Sequence, residues 1–230
     1  MNPGKKYRHE YKYPISDLEA TVLKQRLNGV MPLDAHVGPS GMYLISSLYF
    51  DDYYNSCFYD NENGTDPREK FRIRIYNHSS SRISLECKRK ERAKTLKTSC
   101  KLTKEQVEDI LHDIPLKCDD QTHPLLLKFI EQQRNKGLKP KVIVEYKRVP
   151  YVYKMGNVRV TLDSQLASST YVERFLEGDY PTRPIMPVGK LLLEVKFDEY
   201  LPDYLYDVMQ LNNLTQTAFS KYYLCRQYEL

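Results

Sequence analysis

Apolar and charged residues alternate along several short stretches of this chain. The clearest stretch is KFRIRIY, residues 70–76, in which Lys70, Arg72 and Arg74 occupy every second position and apolar residues lie between them. Alternate side chains of a β-strand point to opposite faces, so this strand has one cationic face and one apolar face. The pattern predicts either a sheet with its charges in solvent or a barrel with its charges inside.

Similar stretches, rich in β-branched and aromatic residues, predict a mainly β protein. Strands are expected at residues 7–15, 42–50, 70–77, 82–90, 94–102, 139–153, 158–166 and 189–197. Pro150 is a candidate break in the long sixth strand, because proline has no backbone N–H for the ladder. About eight strands with helices between them favour a closed antiparallel barrel.

Helices are predicted where apolar residues recur at helical spacing or where a cap precedes them. Ser16 and Glu19 form a capping box that begins a helix ending at Gly29, and Thr103 caps a helix over residues 104–114. Further helices are expected at residues 124–137 and 202–213. Since no repeat or linker interrupts the chain, we predict a single α+β, mainly β, domain over residues 1–230.

Composition narrows the class of protein without identifying it. The chain has 20 tyrosines, no tryptophan and a formal net charge of +5, so the placement of charge matters more than its total. Five scattered cysteines without a CxxC pair indicate reduced thiols and a cytoplasmic location rather than disulfides or zinc. We find no signal peptide and no apolar run long enough to span a membrane. The sequence does not indicate an oligomeric state.

Glutamates recur two positions from lysines on the predicted strands, as in Glu10 and Lys12, Glu86 and Lys88, and Glu194 and Lys196. An ordinary outward polar face explains any one strand, because half-solvated antiparallel sheets are common. The dominance of Arg and Lys in the set favours an inward arrangement. The repeated carboxylates argue against a nucleic-acid surface.

Charges enclosed in a barrel need partners, because burying them unpaired is very costly. A wet interior that binds a polyanion would satisfy them. Arg and Lys bind phosphoryl oxygens, and carboxylates bind hard divalent cations. Phosphoryl transfer needs this combination and requires no nucleophile from the protein.

Eight pieces of the sequence, in order from residue 8 to residue 223, carry a resemblance to a known family: RHEYKY, SLYFDD, KFRIRIY, LECKRK, EYKR, VRVTLD, LLLEVKF and FSKYY. Together they resemble the triphosphate tunnel metalloenzymes (the CYTH-like superfamily) and, within them, the VTC (vacuolar transporter chaperone) polyphosphate polymerase domain.

The resemblance implies an eight-stranded tunnel barrel that transfers the γ-phosphate of ATP to a growing polyphosphate chain with Mn²⁺ or Mg²⁺. ATP and polyphosphate are therefore the expected partners. Glu194 would be the principal metal ligand, and Glu10 and Glu86 either assist the metal or form ion pairs. The implied catalytic residues are Lys12, Arg72, Arg74, Lys88, Arg148, Arg159, Lys196 and Lys221, and the implied triphosphate or polyphosphate ligands are Arg72, Arg74, Lys88 and Lys97.

One stretch departs from the expected pattern. After LECKRK a basic pair is expected, but TLKTSCK keeps Lys97 and continues with Thr98 and Ser99, which would weaken chain binding or change the acceptor. The family's membrane-spanning and regulatory attachments do not occur in this sequence, so we do not expect this chain alone to translocate product.

Two alternatives stay open beside the polymerase. A tunnel enzyme with the same cations and metal could hydrolyse tripolyphosphate, a nucleoside triphosphate or thiamine triphosphate. A non-catalytic protein could bind polyphosphate or single-stranded nucleic acid through basic strands and aromatic residues. Glu194 argues against a pure binder, because a carboxylate that faces the bound anion only weakens binding.

Overall fold

The computed structural model describes residues 7–228, so both ends of the predicted 1–230 domain lie outside the described residues. The strands are β1 His9–Ser16, β2 Tyr43–Asp51, β3 Arg68–Tyr76, β4 Ser79–Glu91, β5 Lys94–Leu102, β6 Lys139–Tyr153, β7 Val158–Ser169, β8 Arg183–Pro184 and β9 Lys190–Phe197. The helices are α1 Asp17–Asn28, α2 Ser56–Glu62, α3 Lys104–Leu111, α4 Pro124–Lys136, α5 Asp203–Met209 and α6 Lys221–Gln227.

The long strands form one antiparallel sheet in the order β1-β9-β7-β6-β2-β3-β4-β5, and the two-residue β8 pairs with β7. The sheet curls until its two edges meet. Arg8, just before β1, exchanges two backbone hydrogen bonds of 2.9 and 3.0 Å with Thr95 of β5. The predicted eight-stranded tunnel fold with inserted helices is confirmed.

The long strand β6 runs unbroken through Pro150, so the candidate break there is wrong. The strand pairs with β2 only as far as Arg148, and beyond that point Pro150 faces the loop before β2. The Pro150 carbonyl accepts a hydrogen bond from the Asp34 N–H at 3.0 Å. Pro150 therefore lies beyond the end of the β2–β6 pairing, where no backbone N–H is needed on the β2 side of the strand.

Most of the predicted helix boundaries follow from local capping. Ser16 and Glu19 form the capping box of α1, and Thr103 forms one with Gln106 at the start of α3. The helix predicted over residues 202–213 ends early, at Met209, because Gln210 has a left-handed backbone with φ of 49°. A single 3₁₀ turn, Leu211–Asn213, follows it.

Apolar side chains cover the sheet on two sides. One outer cluster joins β3, β4 and β5 to α3 and α4, and a second joins β1, β7 and β9 to α1 and α5. A third cluster lies on the opposite, enclosed face, where Tyr222 and Cys225 of α6 pack against β2 and β6. Helices α1, α3, α4 and α5 therefore cover the outer faces of the strands, and α6 lies on the concave face, which holds the site.

Candidate active site inside the barrel

The orientation of β3 decides between the two arrangements allowed by the alternating sequence. Phe71 and Ile73 are buried in the outer cluster beneath α4. The alternate residues Arg72 and Arg74 therefore face the enclosed side, where Arg72 donates a 2.8 Å hydrogen bond to the Tyr49 hydroxyl. The cationic face is turned inward.

The other strands place their charges on the same face. Except for Arg159, these side chains form ion pairs with one another, and several of the pairs join strands distant in sequence. The set consists of Glu10, Lys12, Arg72, Arg74, Glu86, Lys88, Lys97, Arg148, Arg159, Asp163, Glu194, Lys196 and Lys221.

Glu86 organises the cations of β3 and β5. It accepts two hydrogen bonds from Arg72, at 2.6 and 2.8 Å, and one from Lys97 at 2.9 Å. Arg74 lies farther from Glu86, at 3.8 Å, and donates instead to the Ser47 and Tyr146 hydroxyls at 3.1 Å each. Burial opposes ionisation of Glu86, but the three cations hold its pKa well below its ordinary value.

Glu194 and Asp163 share the guanidinium of Arg148. Arg148 binds Asp163 through two hydrogen bonds of 2.6 and 2.7 Å and reaches Glu194 at 3.2 Å. Lys221, the first residue of α6, pairs with Asp163 at 2.7 Å, and Lys196 pairs with Glu194 at 3.2 Å. Although burial acts against it, these cations lower the pKa of both carboxyl groups.

Glu10 links the remaining lysines. It lies 2.9 Å from Lys12, 2.7 Å from Lys88 and 4.0 Å from Lys196. Burial raises the pKa of Glu10, but Lys12 and Lys88 outweigh it and bring the pKa to about 2. Burial lowers the pKa of Lys88 to about 7 despite the opposing charge of Glu10.

Arg159 occupies a separate part of the inner face. Its guanidinium pairs with Asp34 of the loop before β2 at 2.8 Å and donates to the Tyr43 hydroxyl at 2.7 Å. The structure thus brings the other predicted site residues into contact with Glu10, Glu86, Asp163 or Glu194, while Arg159 is paired with a loop. Its assignment to the catalytic set stays a prediction.

Two members of the site were not among the predicted site residues: Asp163 and Tyr146. Asp163 lies two strand positions beyond Thr161 on the face of β7 that carries Arg159, and this alternation was the available signal. Tyr146 contacts the site through its hydroxyl, and Lys221 lies over its ring at 4.7 Å from the centroid. Nothing in the sequence alone distinguishes it from the many other tyrosines.

The carboxylates differ in how well they suit a divalent metal. Within residues 7–228, no group of three or more His, Cys, Asp or Glu side chains is arranged to hold a metal ion. Mg²⁺, however, commonly uses one or two carboxylates and takes its other ligands from water and substrate phosphates. Glu10 and Glu194, which share Lys12 and Lys196, fit this mode.

Thr161 supports the same position for a metal. It lies directly opposite Glu194 in the β7–β9 pairing, and its buried hydroxyl has no hydrogen-bond partner in the described chain. A buried polar atom without a partner is unusual and is consistent with an oxygen donor near a ligand. Glu86 is paired with different cations, Arg72 and Lys97, so its role as a metal helper stays a prediction.

Glu10 makes the free energy of unfolding depend on pH in the acidic range. Its pKa falls from 4.5 to about 2 on folding, so the unfolded chain binds more protons than the folded chain between these pH values. We therefore expect the free energy of unfolding to decrease as the pH falls through this window, by up to about 3 kcal/mol.

Urea unfolding at about pH 5 and about pH 2.5 measures this decrease. The Glu10→Gln variant should lose part of it, whereas Glu131→Gln, on the exposed surface of α4, should behave as wild type. An equal decrease in wild type and Glu10→Gln would show that other carboxylates are responsible.

The curled antiparallel sheet and its charged interior define the class of the protein, the triphosphate tunnel fold. Residues 7–229 match the model of the VTC domain family, and the chain belongs to that family. A comparison with curated proteins found no match.

Two solved structures show the same fold. A candidate adenylate cyclase from Bacillus halodurans is 16% identical with a TM-score of 0.54, over 94% of this chain and 95% of the other. The protein HpAC1 from Hippeastrum, described as an adenylyl cyclase candidate with a dominant triphosphatase activity, is 11% identical with a TM-score of 0.55, over 98% of this chain and 97% of the other. Identities this low establish the fold alone. Among the described helices, none is long and apolar enough to cross a membrane.

Proposed function

We propose that this protein is a polyphosphate polymerase that transfers the γ-phosphate of ATP to a growing polyphosphate chain, using Mn²⁺ or Mg²⁺. The observation that carries the proposal is the inward row of β3 and β4 cations, held beside the paired carboxylates Glu10 and Glu194. Family membership supports the same activity. A cytoplasmic location is part of the proposal.

The row of cations is long enough for a chain of phosphates. Lys70, Arg72 and Arg74 occupy alternate positions of one strand, so the row from Lys70 to Arg74 extends about 13 Å at the usual strand rise. Arg72 is held by Glu86 in a fixed orientation, whereas Arg74 has only hydroxyl groups at hydrogen-bond distance. Arg74 is therefore the arginine with more capacity to bind phosphoryl oxygens.

The residues around Glu194 would contact the reacting phosphate on the side away from the β3 cations. Asp163 fixes the Arg148 guanidinium, and Lys196 and Lys221 place positive charge beside the carboxylates. Fixed cations stabilise the negative charge that spreads over the transferred phosphoryl group. A divalent metal held by Glu194 would neutralise further phosphate charge.

Incubation of the purified protein with ATP and Mn²⁺, followed by electrophoresis of the products, tests the proposal. Long phosphate chains are the expected result. Orthophosphate as the sole product would show that the protein is a triphosphate hydrolase and not a polymerase. If the protein turns over no ATP with Mn²⁺, Mg²⁺ or another divalent ion, the remaining assignment is a non-catalytic polyphosphate binder.

The hydrolase is the second candidate, and one local feature favours it. Ser99 lies opposite Glu86 in the β4–β5 pairing, where a basic residue would add to the lining. With less positive charge there, an acceptor chain is held less firmly and water competes better for the phosphoryl group. The triphosphatase activity described for HpAC1 belongs to the same fold.

Arg74→Ala should raise the ATP concentration needed for half-maximal turnover by about ten- to a hundredfold, the loss expected when one or two charge-assisted hydrogen bonds disappear. Steady-state kinetics with varied ATP measures it. Arg82→Ala, an exposed arginine of β4, is the matched control. If Arg74→Ala has wild-type kinetics, Arg74 does not contact the substrate.

A further inference from the structure

Two directly opposed pairs of like charges lie at one end of the β3–β4 ribbon. Arg68 of β3 pairs with Lys90 of β4, and Lys70 pairs with Lys88. All four occupy the alternate positions that face inward, the same face as Arg72. We call this group the ribbon-end cations.

Opposed like charges destabilise a sheet, so this arrangement has a cost to the free protein. Side chains directly opposite on adjacent strands have Cβ atoms about 5 Å apart. Lys88 has a carboxylate partner in Glu10, at 2.7 Å. The other three have weaker compensation, since the hydrogen bonds of Lys70 go to the neutral oxygens of Asn61 and Ser220, at 3.1 and 3.2 Å.

Among the described residues, Arg68 and Lys90 also have no carboxylate within ion-pair distance. Arg68 donates to the Thr65 carbonyl at 2.7 Å. Burial lowers the pKa of Lys90, the positive charges of Arg68 and Lys12 lower it further, and the carboxylates of Glu10 and Asp66 only partly oppose this. Burial likewise lowers the pKa of Lys70 to about 7, and Arg68 adds to this effect. An anion between these side chains would relieve the repulsion.

The ribbon end also opens to solvent. Residues 62–67, which lead into β3, are exposed, as are Arg92 and Ala93 after β4. The ribbon-end cations therefore continue the row of Lys70, Arg72 and Arg74 outward to the surface. A polyanion bound along the row would extend past the reacting phosphates to this end.

We propose that three of the ribbon-end cations, Arg68, Lys70 and Lys90, form a subsite for the distal phosphates of a long polyphosphate chain, beyond the phosphates that react. This inference rests on the proposed function and deepens it, because it assigns chain-length preference to residues outside the central site. A triphosphate would occupy only the central site, whereas a long chain would occupy both.

The experiment compares binding of inorganic tripolyphosphate and of long-chain polyphosphate by calorimetry, without metal. For wild type, the long chain should bind more tightly per molecule than tripolyphosphate. In the Lys70→Gln/Lys90→Gln variant, this preference should fall by about tenfold, which corresponds to about 1.4 kcal/mol. The matched control is Lys147→Gln/Lys154→Gln, which removes two exposed lysines of the same charge elsewhere and should keep the wild-type preference.

Stability gives a second readout that separates binding from structure. Removing opposed like charges should leave the midpoint of thermal unfolding of the Lys70→Gln/Lys90→Gln variant equal to or above that of wild type, while its long-chain preference falls. An unchanged preference in this variant, or a wild type with no preference, would overturn the subsite. Arg74→Ala tests the proposed function separately, because it should weaken binding of both ligands. If it weakens neither, the central site fails as well.

Discussion

Glu194→Gln should abolish metal-dependent turnover, with kcat lowered by about a thousandfold or more, while the protein stays folded. The carboxylate is 5% exposed and is the acidic side chain shared by Arg148, Lys12 and Lys196. The amide keeps the shape of the side chain but removes the charge that a divalent metal needs. Losses of this size are typical when a group that stabilises the transition state is removed.

The fold should tolerate this change because each cation keeps a second carboxylate. Arg148 retains its two hydrogen bonds to Asp163, and Lys12 retains Glu10 at 2.9 Å. Circular dichroism and urea unfolding should therefore show a folded protein. Glu173→Gln, at an exposed site, is the control and should have wild-type turnover.

Two measurements make the test of Glu194 decisive. Calorimetric titration with Mn²⁺ in the presence of tripolyphosphate should show metal binding to wild type and much weaker binding to Glu194→Gln. Turnover by Glu194→Gln at the wild-type rate and the wild-type metal concentration would exclude Glu194 as a metal ligand and would leave Glu10 or Asp163 for that role.

Strand alternation predicted the fold and much of the candidate site because it is a local property. In β3 the outward residues Phe71 and Ile73 had to be buried by a helix, and so Arg72 and Arg74 had to face the other way. The capping box of Ser16 and Glu19 is equally local, and the predicted start of α1 agrees with the structure. In each case neighbours in sequence carry the information.

The features that the sequence did not predict depend on partners distant along the chain. Pro150 was a candidate strand break, but the β2–β6 pairing ends at Arg148, so the missing N–H of the proline breaks no hydrogen bond to β2. Asp163 resembled any acidic residue on a strand until the structure brought Lys221 of α6 to within 2.7 Å of it. No spacing rule relates residues 58 positions apart, because the contact depends on how α6 packs against the inner face of the sheet.

Asp163→Asn should lower the free energy of unfolding by about 3–5 kcal/mol, the usual loss when one partner of a buried ion pair is removed. Asp163 is 2% exposed and neutralises both Arg148 and Lys221. Urea unfolding measures the loss, and the Arg148→Met/Asp163→Asn variant is the control, because removing both charges should recover part of it. Tripolyphosphate should raise the unfolding midpoint of Asp163→Asn more than that of wild type, since an anion that binds only the folded state stabilises it. If Asp163→Asn unfolds at the wild-type urea concentration, the pairs do not stabilise the fold. If phosphate stabilises both proteins equally, the cations released from Asp163 do not bind phosphate.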